Sequence, residues 1–113
     1  IECYYYAGSM LEAAAYFRPA VNMIRFCEEK FGTYAFWNDK FGIVQAPYRG
    51  MEHQTCINVG YSSSQQYSNW AYPMEVNYDG TLLHEIAHEW WGNSISVSDM
   101  ADMWLHEGLA TYT

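Results

Sequence analysis

The chain has 113 residues, of which 50% are hydrophobic, 19% aromatic and only 16% charged, enough for one small domain with a sizeable core. Thirteen acidic residues against five basic ones give a formal charge of −8, which argues against nucleic acid or an anionic membrane as partner and suits cationic ligands. No uninterrupted apolar run approaches the ~20 residues of a membrane span, and no charged leader precedes an apolar segment in the manner of a signal peptide.

A first residue of Ile1 and a last residue, Thr113, inside a helical pattern lead us to expect a piece of a longer chain. Some of its apolar surface is then expected to meet segments outside it. Cys3, Cys27 and Cys56 are odd in number and widely spaced. They therefore read as small buried hydrophobes rather than a disulfide framework or a cysteine metal site, and the compartment stays undetermined.

From Ser9 to Phe31 apolar residues recur at intervals of three and four, the period of a helix. Pro19 interrupts that pattern and is best tolerated in a first helical turn. The expectation is a short helix ending near Phe17 and a second from Arg18 or Pro19 to Lys30, closed by Gly32. Lys40 to Ala46 and Met51 to Val59 alternate as strands, with a turn at Pro47, Tyr48, Arg49 and Gly50. Tyr61 to Tyr72, rich in Ser, Gln, Asn and Tyr, reads as a surface loop. Asp79 and Gly80 introduce a helix over Thr81 to Trp91, with Asp79 as N-cap candidate and Gly92 at its far end. After a polar stretch from Ser94 to Ser98, Asp99 is placed to cap a last helix carrying Trp104, Leu105, Glu107 and Ala110. Helices and strands mixed in this order predict an α+β fold.

The helix over Thr81 to Trp91 contains a His-Glu-x-x-His sequence, His84 to His88. Residues four apart on a helix differ by about 40° around the axis and ~6 Å along it, so both imidazoles project from one face. Catalytic zinc takes three protein ligands and leaves a position for water. Glu107 is the candidate third ligand, since the eighteen residues between His88 and Glu107 allow the last helix to return against the first. Glu85, next to His84 and three residues before His88, flanks such an ion and is the candidate general base and acid. Trp90, Trp91, Trp104 and Leu105 are expected to dry the site. Glu89, Asp102 and Thr111 are candidates for orienting a ligand histidine, and spacing alone does not rank them.

These residues carry a resemblance. His84-Glu-Ile-Ala-His-Glu-Trp-Trp-Gly-Asn93, followed by Trp104-Leu-His-Glu-Gly-Leu-Ala-Thr-Tyr112, resembles the aminopeptidase N family of zinc metallopeptidases, with the spacing to Glu107 matching as well. The family's Gly-x-Met-Glu-Asn strand segment finds its counterpart in Arg49-Gly50-Met51-Glu52-His53, so the resemblance runs from Phe31 to Thr113. It implies a thermolysin-like catalytic core holding one Zn2+ ion, of which residues 1–113 are a part, between a β-rich domain before it and a helical one after it. It also implies that Glu52, with Gly50 and Met51, grips the free α-ammonium of a peptide substrate, so that the first peptide bond lies over the metal. His53 and His106 stand where asparagine is usual; the first bears on how substrate is held beside Glu52, and the second is expected to point off the metal face. The tyrosine with which the family stabilises the oxyanion is expected beyond Thr113.

Two rivals accompany this reading. The same metal triad serves endopeptidases and relatives that open an epoxide, with Glu52 as the discriminating residue. The chain alone could also bind zinc without turnover.

Overall fold

The computed structural model describes residues 1–8, 10–60 and 80–113. The loop expected over Tyr61 to Tyr72, the Asp79 cap and the start of the first helix at Ser9 lie outside them. In chain order the elements are β1 (Glu2–Tyr4), α1 (Met10–Phe17), α2 (Ala20–Phe31), β2 (Gly42–Gln45), β3 (Gly50–Met51), β4 (Cys56–Val59), α3 (Gly80–Ala87) and α4 (Trp104–Tyr112). A 3-10 turn, Met100–Asp102, precedes α4. The class is α+β, as expected.

The four strands form one mixed sheet in the order β1-β2-β4-β3. β2 lies parallel to both β1 and β4, with Ile43 opposite Cys3 on one side and Ile57 on the other. β3 runs antiparallel to β4, Gly50 facing Val59 and Met51 facing Asn58. Two features depart from the sequence reading. β1 was not expected; its three residues are exposed along their length and carry no alternation to betray them. The strand expected over Met51 to Val59 is two strands, because the chain turns at residues 52–55 and doubles back. Thr55 has a φ of 59° there, a left-handed conformation that a β-branched residue rarely adopts.

The two helices between β1 and β2 meet at Pro19, whose φ of −65° is already helical, as proline's ring requires. Gly32, with φ 100°, ends α2 and donates its N–H to the Glu28 carbonyl. Asp99 caps as expected, accepting from the Ala101 N–H at 2.9 Å, but what it caps is the 3-10 turn, and α4 begins five residues later at Trp104.

Helix α3 packs against α2, β3, β4 and α4, and its faces divide the molecule. Leu82, Ile86 and Trp90 enter a core shared with Phe17, Met23, Tyr34, Phe41, Ile43, Ile57 and Val59. Burial of such side chains, at ~1.5–3 kcal/mol each, anchors the helix so that its other face holds its residues in fixed positions. Regular helix stops at Ala87, short of the expected Trp91. The Glu89 and Trp90 N–H groups bond three residues back, and those of Asn93, Ser94 and Ile95 bond five back to His88, Glu89 and Trp90. This widening lets Gly92, at φ 124°, swing the chain away while His88 remains in the last turn.

Candidate metal centre and substrate site

His84 and His88 lie on the face of α3 turned toward α4. Their Nε2 atoms are 3.1 Å apart. Glu107, from the first turn of α4, brings Oε2 to 3.2 Å from His84 Nε2 and Oε1 to 3.5 Å from His88 Nε2. Ligands about 2.0–2.2 Å from a tetrahedral ion are separated by roughly 3.3–3.6 Å. The donor set of two imidazole nitrogens and a carboxylate, with separations of 3.1, 3.2 and 3.5 Å that lie in or within about 0.2 Å of that range, fits one zinc ion.

The other ring nitrogens are engaged. His88 Nδ1 lies 2.9 Å from the Trp91 carbonyl, which can only accept, so Nδ1 carries the proton and the Nε2 of a neutral ring presents a lone pair. His84 Nδ1 meets Thr111 Oγ1 at 3.3 Å. Of the three orienters considered from sequence, Thr111 is thus the one that reaches a ligand ring. Asp102 is exposed in the 3-10 turn, and Glu89 is used elsewhere, its Oε1 accepting the Thr55 N–H at 2.6 Å. The Trp91 carbonyl was invisible to a reading of side chains. Burial, then the neighbouring His88, lowers the pKa of His84 from 6.5, against the opposing pull of Glu107 and Glu52. A site that disfavours protonated imidazole keeps its nitrogens free for a cation.

Glu85 is 6% exposed, and its Oε2 has no hydrogen-bond partner among the described residues. Burial first, then the charges of Glu52 and Glu107, push its pKa up to about 8, with Arg49 pulling the other way. A carboxyl poised near neutrality is suited to taking and returning a proton. Gly50 makes room for it: a Cβ at this position would press on Glu85 Oε1 and lie 2.6 Å from Cδ. An open cavity of about 350 Å³ runs over this arrangement, lined by Arg49, Gly50, Thr81, His84, Glu85 and Glu107 among others.

Glu52 follows β3 directly. Its carboxylate belongs with Glu85 and His88 to a second group whose ligand atoms lie within 4.8 Å of one another. This group shares His88 with the first. Glu52 and Glu85 thus add two further carboxylates beside the candidate metal ligands. Met51 is 41% exposed, and its backbone pairs with Asn58 on the sheet. His106 accepts the Val97 N–H through Nε2 at 3.1 Å, so it steadies the loop after α3, off the metal face as expected.

The drying aromatic shell is only partly realised. Trp90 points into the core, its indole N–H donating to the Gly32 carbonyl at 2.8 Å and its ring against Tyr34. Trp91 packs on Phe31 at 5.1 Å, and Trp104 is 67% exposed. Helical periodicity turns Trp90 to the side opposite His84 and His88.

Residues 16–113 match the Peptidase family M1 domain. The chain belongs to the M1 peptidase family. It is 52% identical over 31 residues to Aminopeptidase RNPEPL1 of Homo sapiens, covering 27% of this chain and 4% of that protein. It is 48% identical over 31 residues to Aminopeptidase N of Mus musculus, covering 27% of this chain and 3% of that one. A longer match, 32% identical over 93 residues, is to the Tricorn protease-interacting factor F2 of Thermoplasma acidophilum and covers 79% of this chain and 12% of that protein. The chain thus spans a small part of the length of these curated relatives. No solved structure gives a significant match.

Proposed function

We propose that this chain is the zinc-binding and catalytic part of an aminopeptidase with a thermolysin-like core, which releases N-terminal residues from peptides. His84, His88 and Glu107 would hold one zinc ion. The observation that carries the reading is their convergence at 3.1, 3.2 and 3.5 Å beside a buried carboxylate, Glu85, with one unpartnered oxygen. The family resemblance and the two relatives named as aminopeptidases support it, and the resemblance implies β-rich and helical neighbours that complete the catalytic unit.

A zinc ion held there supplies Lewis acidity for the scissile carbonyl and for water. The remaining work falls to this chain's residues. Glu85 accepts a proton from water at its free oxygen and delivers it to the leaving amine. The Glu52 carboxylate pairs with the substrate's α-ammonium, placing the first peptide bond over the ligand triad and leaving internal bonds out of reach. Gly50, by lacking a side chain, leaves room for the Glu85 carboxylate. An internal-bond peptidase would have no use for a carboxylate fixed beside the metal position, which is why Glu52 favours the exopeptidase.

The test is hydrolysis of leucine anilide and N-acetyl-leucine anilide by the zinc-loaded chain and its Glu52→Ala variant. Turnover of the free amine alone, lost in the variant, is expected. Equal hydrolysis of both substrates would overturn the exopeptidase assignment. One equivalent of zinc with no hydrolysis of either would favour the second reading, a metal-binding part whose turnover depends on other segments.

A further inference from the structure

The turn that carries Glu52 is tied at both ends to the segment that carries the metal ligands. At its start, Asn93 Nδ2 donates to the Glu52 carbonyl at 2.8 Å. At its end, the Thr55 N–H donates to Glu89 Oε1 at 2.6 Å. Glu89 directly follows His88, and Asn93 returns its own N–H to the His88 carbonyl at 3.0 Å, so both ties lead back to one histidine. Thr55 is 8% exposed and Glu89 1% exposed, so water does not compete for the second tie.

The strain in the turn gives these bonds their meaning. A β-branched residue at φ 59° is strained and persists where its surroundings over-determine it. Released from Glu89 and Asn93, residues 52–55 would relax toward an ordinary extended path and carry the Glu52 carboxylate with them. Neither bond touches the ion position, so loosening them leaves His84, His88 and Glu107 in place.

We propose that Glu89 and Asn93 are positioning residues that fix the Glu52 carboxylate relative to the metal ligands, and so set how strongly the site prefers a free α-amine. The proposal rests on the reading of Glu52 as the ammonium partner. Its test is calorimetric binding of leucine hydroxamate and N-acetyl-leucine hydroxamate to the zinc-loaded chain, alongside zinc affinity by chelator competition. In Asn93→Ala the preference for the free amine falls roughly tenfold while zinc affinity stays within about twofold. Asn93→Asp, of equal size but without the donor, does the same and carries the test if the alanine variant does not fold. Glu89→Gln keeps an acceptor oxygen and retains the preference, whereas Glu89→Leu loses it. An unchanged preference in both Asn93 variants, with Glu52→Ala abolishing it, overturns the positioning role alone. A preference that survives Glu52→Ala overturns the reading beneath it and the proposal together. Losses of preference matched by equal losses of zinc affinity would show a general structural role and overturn it as well.

Discussion

The Nε2 atoms of His84 and His88 face each other at 3.1 Å, with the Nδ1 of each ring already engaged, by Thr111 on one side and the Trp91 carbonyl on the other. Two nitrogens held this close, with a carboxylate completing the triangle, make a group that could hold a metal ion. The partners behind the rings set their orientation, and the core packing of Leu82 and Ile86 sets the position of the helix beneath them.

Removing the partner behind His84 therefore loosens one ligand without deleting it. Thr111→Val keeps the shape of the side chain and discards the oxygen near Nδ1. Zinc affinity should fall roughly tenfold, the low end for loss of an orienting group, with the melting temperature of the metal-free chain unchanged within about 2 °C. Competition with a fluorescent chelator measures the first and a thermal melt the second.

Gly50 leaves space that Glu85 occupies. In Gly50→Ala the new methyl meets the carboxylate, and Glu85 must leave its buried position. Overpacking of this kind costs about 1–3 kcal/mol, and displacing a general base costs ~10²-fold or more in turnover. Zinc content is expected to hold at one equivalent. The comparison of chemical denaturation, anilide hydrolysis and metal content separates this outcome from simple misfolding.

Burial of Glu85 also fixes the pH dependence of stability in the metal-free chain. Its pKa rises from 4.5 to about 8 on folding, so between those values the native state holds a proton that the unfolded chain releases. Stability contributed by this group is accordingly lost as pH rises through that window. Glu89, raised to about 7, acts with the same sign. His84, lowered from 6.5, acts oppositely, its burden easing as pH rises to that value. Glu85→Gln has no such proton to lose, so the variant should gain stability relative to the parent from pH 5 to pH 9 as measured by urea midpoints. Parallel curves for the two proteins would contradict the buried state of Glu85.

Much of this site is legible in the sequence because its parts lie at helical spacings. His84 and Glu85 lie on α3 and His88 directly after it, and Glu107 follows in the next helix, so their convergence needs only that the two helices pack. Glu52 stands out through the motif around it, and the fold places it beside Glu85 and His88. The tryptophans mislead because residue type says how apolar a side chain is and not which face of the helix bears it; Trp90 serves the core. The split of one expected strand into β3 and β4 depends on Thr55, whose φ no propensity favours and which is held by Glu89 from 34 positions away. Likewise β1, exposed throughout, owes its existence to pairing with β2 rather than to its own pattern.

The claim on which the rest depends is that His84, His88 and Glu107 together hold one zinc ion. Metal analysis after reconstitution and dialysis, on the chain and on His88→Ala, tests it directly. One equivalent of tightly held zinc is expected in the first and a loss of at least a hundredfold in affinity in the second, since two donors cannot replace three. Failure of the chain to retain zinc, or retention of a full equivalent by His88→Ala, would contradict it.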